Sequence, residues 1–348
     1  MHLRIALDVG MGAFKYCSQL HGQKLVGLID SAVAPPREPG FGQKPFLQVT
    51  MSSECRIVGS DARASEFARA CWGGGKVSQD VKLLAMAALG KICECLSYDQ
   101  LHVTLGSSLP VQMWATHRDA LAQLLSGEHA FALGKSSYRV RVELDPNRVL
   151  PEGYCTYLHL RSLGLLGAHE TVGIVDVGHS TVGLCLVEND EFVAERSVHR
   201  DEGMRMFYGL LGQEVARMTG DFPGDLMIER LYMSGAGEIR RMNEVIDLQR
   251  ILQMTMRTYG EKIFNLVPTT WKGVTLGRVV LTGGGATTVL PAFAEHFSRK
   301  FGMATERVIE MATEPEPRGL LMVCPEPRMA NVRGLYHWLQ ERSALSVA

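Results

Sequence analysis

The chain has 348 residues, of which 46% are hydrophobic, and a formal net charge of -1. This length favours two domains over one and allows a large core without disulfide support. The near-neutral charge provides no general attraction to nucleic acid or to an anionic membrane, so we expect neither as a direct partner.

The eight cysteines are scattered, and only Cys93 and Cys95 form a close pair. No second pair supplies further metal ligands, so we expect buried or half-buried free thiols. Residues 3–7 are strand-like rather than typical of a signal peptide, and no apolar run reaches the roughly 18 residues of a membrane helix. The sequence therefore predicts a reduced, soluble, cytoplasmic protein.

The first half of the chain begins with a short apolar strand that ends in a glycine turn. Residues 3–7 predict a buried strand that leads into Asp8, Val9 and Gly10. Downstream, the pattern predicts strands at 14–20, 24–28 and 101–106, a proline-containing loop at 31–45, helices at 79–96 and 114–125, and a closing hairpin at 131–133 and 138–144.

The second half repeats this order of elements. A predicted helix at 152–165 precedes an apolar strand at 171–175, which ends in Asp176, Val177 and Gly178. Because strands and helices alternate in both halves, we expect α/β layers with mixed sheets and a ligand cleft between the halves. The remaining predictions are a hairpin at 181–187 and 192–198, a strand at 276–281, and helices at 201–218, 239–265, 288–300 and 330–340.

The turn after the first strand has the residue types of an anion site. Gly10 and Gly12 allow a tight turn with positive φ angles, and bare backbone N–H groups in such a turn form a concave anion site. Lys15 can add a positive charge for a phosphate. Asp8 would repel phosphate, so its expected role is to hold hydrated Mg²⁺. A hairpin turn after a buried strand is the simpler interpretation of this segment by itself.

Two further turns strengthen the interpretation. Asp176 and Gly178 repeat the first turn, and the hydroxyls of Ser180 and Thr181 can donate to phosphate oxygens. Three glycines, Gly283, Gly284 and Gly285, stand between a strand and a helix, where a flat ring or sugar can approach the backbone and the helix N-terminus favours phosphate. Together the turns predict one Mg-nucleotide site.

Competing phosphate motifs do not fit. Residues 134–136 resemble the end of a P-loop, but His129 stands where the first glycine of that motif is required. The sequence also has no dinucleotide fingerprint of the form G-x-G-x-x-G.

The three turns together resemble the nucleotide site of the actin/Hsp70/sugar-kinase superfamily. The length and the form D-x-G-x-G-x-x-K at 8–15 are similar to the plasmid-segregation actin-like ATPases, the ParM/StbA group. The segments at 149–152 and 330–336 resemble that family's water-activating segment and closing helix. The resemblance implies an actin-like α/β fold with two similar domains, each a mixed sheet flanked by helices, and a nucleotide cleft between them. Domain I would be 1–150 plus 325–348, and domain II 151–324.

The resemblance also implies roles for individual residues. Asp8 and Asp176 would organise Mg²⁺, and Glu152 would orient or deprotonate the water that attacks the γ-phosphate. Glu202 and Arg205 would reach ribose or base, although an exposed helix face is the simpler interpretation. The phosphate loops would be Gly10, Gly12, Ala13, Lys15, Gly178, His179, Ser180 and Thr181, and the adenosine loop would be Gly283, Gly284, Gly285 and Ala286.

The sequence departs from the family pattern at two positions of these loops. Many relatives have Asn where Ala13 stands and Gly where His179 stands, so His179 either crowds the phosphates or points to solvent. These changes affect the expected turnover more than the expected binding.

Three functions fit the resemblance. The first is an ATPase, using ATP or GTP with Mg²⁺, that polymerises into filaments for segregation of a plasmid or similar mobile replicon and reaches DNA through an adaptor protein. The second is an ATP-binding scaffold without polymerisation or turnover, against which Glu152 argues. The third is a small-molecule kinase, for which the sequence offers no aspartate base beside a substrate pocket.

Overall fold

The computed structural model describes residues 1–41, 44–65, 67–70, 75–241, 244–317 and 319–345. The chain divides into two compact units. Unit 1 comprises Met1–Leu166 together with Met329–Ala348, and unit 2 comprises Gly167–Arg328. None of the described helices combines the length and apolarity needed to cross a bilayer.

Unit 1 is built on a mixed sheet in which the described residues form eleven strands, in the order β3-β2-β1-β8-β10-β9-β5-β6-β4-β7, with β11 also beside β8. Strand β8 runs parallel to its neighbours β1, β10 and β11. The other strand pairs of this sheet are antiparallel. The strands are β1 (His2–Val9), β2 (Ala13–Leu20), β3 (Gln23–Asp30), β4 (Ala32–Ala34), β5 (Gln48–Met51), β6 (Glu54–Val58), β7 (Arg69–Ala70), β8 (Gln100–Leu109), β9 (Gly127–Leu133), β10 (Ser136–Glu143) and β11 (Val149–Pro151).

Helices cover both faces of this sheet because its central strand is apolar on both sides. Leu3, Ile5 and Leu7 of β1 pack with the long buried helix, whereas Ala6 packs with the chain's last helix. Alternate residues of a strand point to opposite faces, which explains the division. The helices of unit 1 are α1 (Ser60–Arg63), α2 (Gln79–Leu96), α3 (Val111–Leu125), α4 (Tyr154–Ser162) and α10 (Ala330–Leu345).

The contact between α4 and α10 depends on a glycine. A Cβ built on Gly334 of α10 would lie 1.7 Å from the Cys155 carbonyl oxygen and 2.7 Å from the His159 amide nitrogen, both in α4. The absence of a side chain at this position therefore lets the two helix backbones touch. Through this contact the end of the chain is held against the segment that follows β11.

Unit 2 has a five-stranded mixed sheet in the order β14-β13-β12-β17-β18. The pairs β12–β17 and β17–β18 are parallel, and β12, β13 and β14 form an antiparallel meander. A separate antiparallel hairpin is formed by β15 and β16. The strands are β12 (Val172–Val177), β13 (Val182–Glu188), β14 (Glu191–Arg200), β15 (Glu238–Arg241), β16 (Glu244–Asp247), β17 (Arg278–Thr282) and β18 (Leu321–Val323).

The helices of unit 2 enclose one hydrophobic core with this sheet. Val175 and Leu281 of the central strands pack with Phe207, Tyr259 and Phe293 of three different helices. The helices are α5 (Met204–Thr219), α6 (Asp225–Met233), α7 (Leu248–Thr270), α8 (Ala286–Phe301) and α9 (Thr305–Thr313).

Several sequence-based boundaries are corrected by the structure. The helix predicted at 239–265 is a hairpin followed by α7, which begins where the Asp247 side chain accepts a bond from the Gln249 amide at 2.9 Å. The helix predicted from Glu152 begins at Tyr154, after Gly153 with φ 82°. The pattern missed α1, β5, β6, β7, β11, α6, α9 and β18, and the predicted loop at 31–45 contains β4.

The predicted domains are 1–150 plus 325–348 and 151–324. The observed units have different boundaries. The divisions lie after Leu166 and after Arg328. The difference at the first boundary is α4, which packs against α10 and therefore belongs to unit 1.

Candidate functional site

In unit 1, Asp8 lies at the carboxyl end of β1 between two side chains from neighbouring strands. Lys15 of β2 donates to Asp8 Oδ2 at 2.7 Å, and Ser108 of β8 donates to Asp8 Oδ1 at 2.8 Å. The Asp8 side chain is 2% exposed. A carboxylate has about four lone-pair sites, so these two bonds leave capacity for further donors such as a metal-bound water.

The loop after Asp8 is shaped by close backbone contacts rather than by unusual φ angles. Neither Gly10 nor Gly12 has a positive φ, which corrects the prediction. A Cβ on Gly10 would instead lie 2.4 Å from the Ala13 carbonyl oxygen, so a side chain does not fit. Buried Ser31 fixes the loop, since its hydroxyl donates to Gly10 O at 2.5 Å and its amide to Gly12 O at 3.1 Å. The Ala13 methyl is buried.

Glu152 follows β11 and lies at the same end of the sheet as Asp8. It does so because β11 and β8 run parallel and the Glu152 amide donates to Leu109 O at 2.8 Å. Its Oε1 accepts a bond from Lys76 Nζ at 2.9 Å, and the Lys76 side chain is only 4% exposed. Lys76 also donates to the carbonyl oxygen of Val9. Sequence patterns did not indicate Lys76, because it belongs to none of the three turns.

The closing helix α10 holds the turn that carries Glu152. The Asn331 side-chain oxygen accepts bonds from the Gly153 amide at 3.1 Å and from the Thr156 hydroxyl at 2.9 Å. These bonds supply a cap for the N-terminus of α4, whose own N-cap residue has no side chain. Asn331 stands in the segment that resembled the family's closing helix, but its partners could be known only from the fold.

In unit 2, Asp176 repeats the setting of Asp8. Each aspartate pairs with the residue seven positions later on the next antiparallel strand, Lys15 for Asp8 and Gly183 for Asp176. Each also pairs with a hydroxyl residue on a parallel strand, Ser108 for Asp8 and Thr282 for Asp176. The two turns are therefore built in the same register in both units.

The two units differ at the position of Lys15. Its counterpart Gly183 leaves room for the ring of His199, whose atoms lie 3.0 and 3.1 Å from a Cβ built on Gly183. His199 is buried and belongs to β14, next to Gly183 in the sheet. An imidazole thus occupies the side of Asp176 where unit 1 has an ammonium group beside Asp8.

The loop at 178–181 packs closely on the N-terminus of α5. The amides of Met204 and Arg205 donate to the carbonyls of Gly178 and His179 at 2.9 and 2.7 Å. This approach requires Gly203, because a Cβ there would lie 2.4 Å from the Ser180 carbonyl carbon. The first amides of α5 are therefore used by the loop itself.

The side chains of this loop have different surroundings. The ring of His179 lies 6.3 Å from that of Tyr208 in α5, centroid to centroid, and is half-buried. The Ser180 hydroxyl is buried and has no hydrogen-bond partner among the described residues. An unsatisfied buried hydroxyl is costly, and a phosphate oxygen is an acceptor that would satisfy it. The Ser180 hydroxyl is therefore available as a donor to a ligand oxygen.

The two residues predicted to reach ribose or base, Glu202 and Arg205, differ in exposure. The side chain of Arg205 is exposed and that of Glu202 is half-buried. The Glu202 carbonyl accepts a bond from the Tyr259 hydroxyl at 2.8 Å, and burial raises the pKa of Tyr259. Tyr259 therefore acts as a neutral donor that ties the start of α5 to α7.

Of the three glycines after β17, only Gly284 faces open space. A Cβ on Gly283, which has φ 82°, would lie 2.4 Å from Asp176 Oδ1, and one on Gly285 would lie 2.5 Å from Met204 Sδ. A Cβ on Gly284 would meet nothing within 4 Å. The amides of Gly283 and Gly285 already donate to Pro327 O and Val177 O. Ala286, the first residue of α8, is buried.

Within the described residues, no group of three or more His, Cys, Asp or Glu side chains forms a metal cage. The described cysteines are all free, and Cys71 lies outside the described residues. Burial, with a contribution from Asp176, raises the pKa of Cys324 to about 12, and burial raises that of Cys93 to about 11. These thiols are uncharged at neutral pH. A metal ion at this site would therefore be held by the aspartates and by water, not by the thiols.

Comparison with known families matches both parts of the chain to actin-like proteins. Residues 6–154 match the family described as actin like proteins N terminal domain, and residues 174–295 match the archaeal actin homologue MreB-like C-terminal family. A comparison with curated proteins found no match.

Solved structures show the same fold over nearly the whole chain. The actin-like protein Alp7A has a TM-score of 0.77 at 15% identity, over 99% of this chain and 98% of that one. A ParM filament structure from Clostridium botulinum has 0.72 at 18%, over 98% and 99%, and Bacillus thuringiensis ParM with ATP has 0.69 at 14%, over 99% of both chains. The predicted actin-like fold of two mixed-sheet domains flanked by helices is thus confirmed.

Proposed function

The chain is a two-domain protein of the actin-like fold, and on this basis we propose that it is a nucleotide-dependent, filament-forming ATPase. Its role would be segregation of a plasmid or similar mobile replicon in the cytoplasm. The net charge of -1 favours a DNA-binding adaptor over direct contact with DNA.

The observation that carries this proposal is the matched construction of the two aspartate turns. Asp8 and Asp176 stand at equivalent register positions, each beside a hydroxyl residue of a parallel strand. Ligands of open α/β sheets bind at the carboxyl ends of the strands, where both aspartates lie. In this proposal Asp8 and Asp176 would hold Mg²⁺ through its bound waters, and the lone pairs of Asp8 that Lys15 and Ser108 do not use would accept from such a water.

The loops would hold the nucleotide in different ways. Ser180 Oγ is an available donor for a phosphate oxygen, and the backbone of 10–13 and 178–181 would line the phosphates. Gly284 offers open backbone for adenosine. Bound Mg-ATP would supply a γ-phosphate for transfer to water, and Glu152 would orient or deprotonate that water.

The comparisons support two parts of this proposal. A ParM relative was solved with ATP, and another was solved as a filament. Both share the fold of this chain at low identity, so nucleotide binding and self-assembly are the properties to test first.

We expect purified protein to hydrolyse Mg-ATP and to form polymer that sediments and scatters light. Phosphate release and pelleting are measured together across protein concentrations, with GTP, ADP and nucleotide-free samples in parallel. A protein that stays monomeric with both ATP and GTP at high concentration would refute the filament role. Binding of ATP without phosphate release or polymer would favour the scaffold function.

Gly284 provides a local test of the adenosine loop. We expect Gly284→Val to weaken ATP binding about tenfold or more, equivalent to about 1.4 kcal/mol, because the new side chain extends into open space where the nucleotide would lie. Calorimetric titration gives the affinity. The thermal midpoint should stay near that of the parent protein. Gly285→Ala is the contrast, since its methyl group meets Met204 and Val177 and should lower that midpoint. Unchanged affinity of Gly284→Val would show that this loop does not border the nucleotide.

A further inference from the structure

Lys76 is a buried charge that the three turns do not account for. It lies two residues before Ser78, the N-cap of α2, and α2 is embedded in the core of unit 1. Lysine is almost never fully buried unless its charge is paired. The Lys76 side chain is 4% exposed and pairs with Glu152, whose side chain is 11% exposed.

The Lys76 ammonium connects two segments that sequence separates widely. It donates to Glu152 Oε1 at 2.9 Å and to the carbonyl of Val9, the residue after Asp8. An ammonium group has three donors and no acceptor, so both contacts use it as a donor. The Glu152 carboxylate is thereby fixed relative to the end of β1.

Asp8 has a different cation. Lys15 pairs with Asp8 at 2.7 Å, so the two candidate-site carboxylates of unit 1, Asp8 and Glu152, pair with different lysines. Lys76 therefore acts on Glu152 and on the backbone after Asp8, while Lys15 acts on the Asp8 side chain.

We propose that Lys76 is a positioning residue that holds the Glu152 carboxylate in place for its work on the attacking water. This inference rests on the proposed ATPase function. A reacting group must be held within about 0.5 Å of its productive position, and a charged hydrogen bond from a residue at the start of a buried helix provides such a restraint.

Stability by itself does not require a charge at this position. Replacing a buried ion pair by apolar groups of similar volume is often neutral or stabilising. Lys76→Met keeps most of the aliphatic stem but removes the donor, whereas Lys76→Arg keeps the charge and donors. The pair of variants therefore separates positioning of Glu152 from packing.

The test measures kcat and KM for Mg-ATP in the full-length protein and in Lys76→Met, Lys76→Arg, Glu152→Gln and the Lys76→Met/Glu152→Gln double variant. We expect Lys76→Met to lower kcat about tenfold or more with little change in KM, and Lys76→Arg to recover part of the loss. The double variant should be no slower than Glu152→Gln, because both changes remove the same function. Lys91→Met is the matched control, since Lys91 forms a surface pair with Glu94 in the same unit.

Two results would overturn the proposal: a kcat of Lys76→Met near that of the parent, or a double variant whose losses multiply. An unchanged kcat together with a raised KM would mean that Lys76 binds the nucleotide itself. Thermal melting of each variant shows whether a loss of turnover comes from unfolding. If Lys76→Met unfolds, Lys76→Arg provides the test, since it must recover turnover for the proposal to stand. If the parent protein releases no phosphate, the ATPase function itself fails, which is a different result from a fully active Lys76→Met.

Discussion

Glu152→Gln is expected to abolish most ATP turnover while leaving nucleotide binding in place. The glutamine amide keeps the shape of the side chain. Its oxygen can still accept the bond from Lys76 Nζ, which lies 2.9 Å from Glu152 Oε1 in the parent protein. It cannot take a proton from water, and loss of a general base lowers rates about 100- to 10,000-fold. Single-turnover phosphate release with saturating Mg-ATP measures the chemical step directly.

The control for this change is Glu128→Gln, which makes the same substitution on an exposed residue of β9. It should leave phosphate release unchanged. Under the proposed function, hydrolysis would destabilise the filament, so filaments of Glu152→Gln should form with ATP and persist. A Glu152→Gln protein that releases phosphate at the parent rate would remove Glu152 from the mechanism, and one that loses ATP binding as well would point to a structural role.

Gly334→Ala is expected to cause the largest loss of stability among single methyl additions in unit 1. The new Cβ would lie 1.7 Å from the Cys155 carbonyl oxygen, so α10 and α4 must move apart. The overlap is between a Cβ attached directly to the α10 backbone and backbone atoms of α4, so no rotamer change can relieve it. We expect a cost of at least about 3 kcal/mol. Calorimetry should show the unfolding transition of unit 1 lowered by about 6–12 °C.

Gly209→Ala is the matched control, because it adds the same methyl group to a helix at a position with nothing within 4 Å. Alanine is the better helix former by about 1 kcal/mol, so this variant should melt slightly higher than the parent. Displacement of α10 would also disturb Asn331 and the turn that carries Glu152, so Gly334→Ala should reduce turnover too. Equal melting temperatures for Gly334→Ala and the parent would contradict the close helix contact.

The elements that the sequence predicted well are those with a strong local period. The apolar pattern at 79–96 matches α2 residue for residue, and the strands at the start of the chain lie within one or two residues of β1, β2 and β3. The segment at 239–247 was misread because its apolar residues continue into those of α7. The helix start is decided there by the Asp247 side chain, whose bond to Gln249 is a local feature that the period does not reveal.

The candidate site shows the same division. Asp8 and Asp176 were found from sequence because strand, aspartate and glycine stand together in the chain. Lys76, Asn331 and Gly203 were missed, because each acts on residues distant in the chain or across a helix–loop contact. For Gly203 a signal existed, since a glycine directly before an apolar helix pattern can mark a close backbone approach.

The sequence by itself determined the long, strongly periodic elements, the two aspartate turns and the glycine loop, since these depend on neighbouring residues and on strand and helix periods. Only the tertiary structure decided how those turns are held. Neither sheet register nor the contact of distant helices follows from local pattern, so the pairing of Asp8 with Lys15 and Ser108, and of Glu152 with Lys76, required the fold. Burial then makes these pairings matter, because a buried charge is stable only beside its partner.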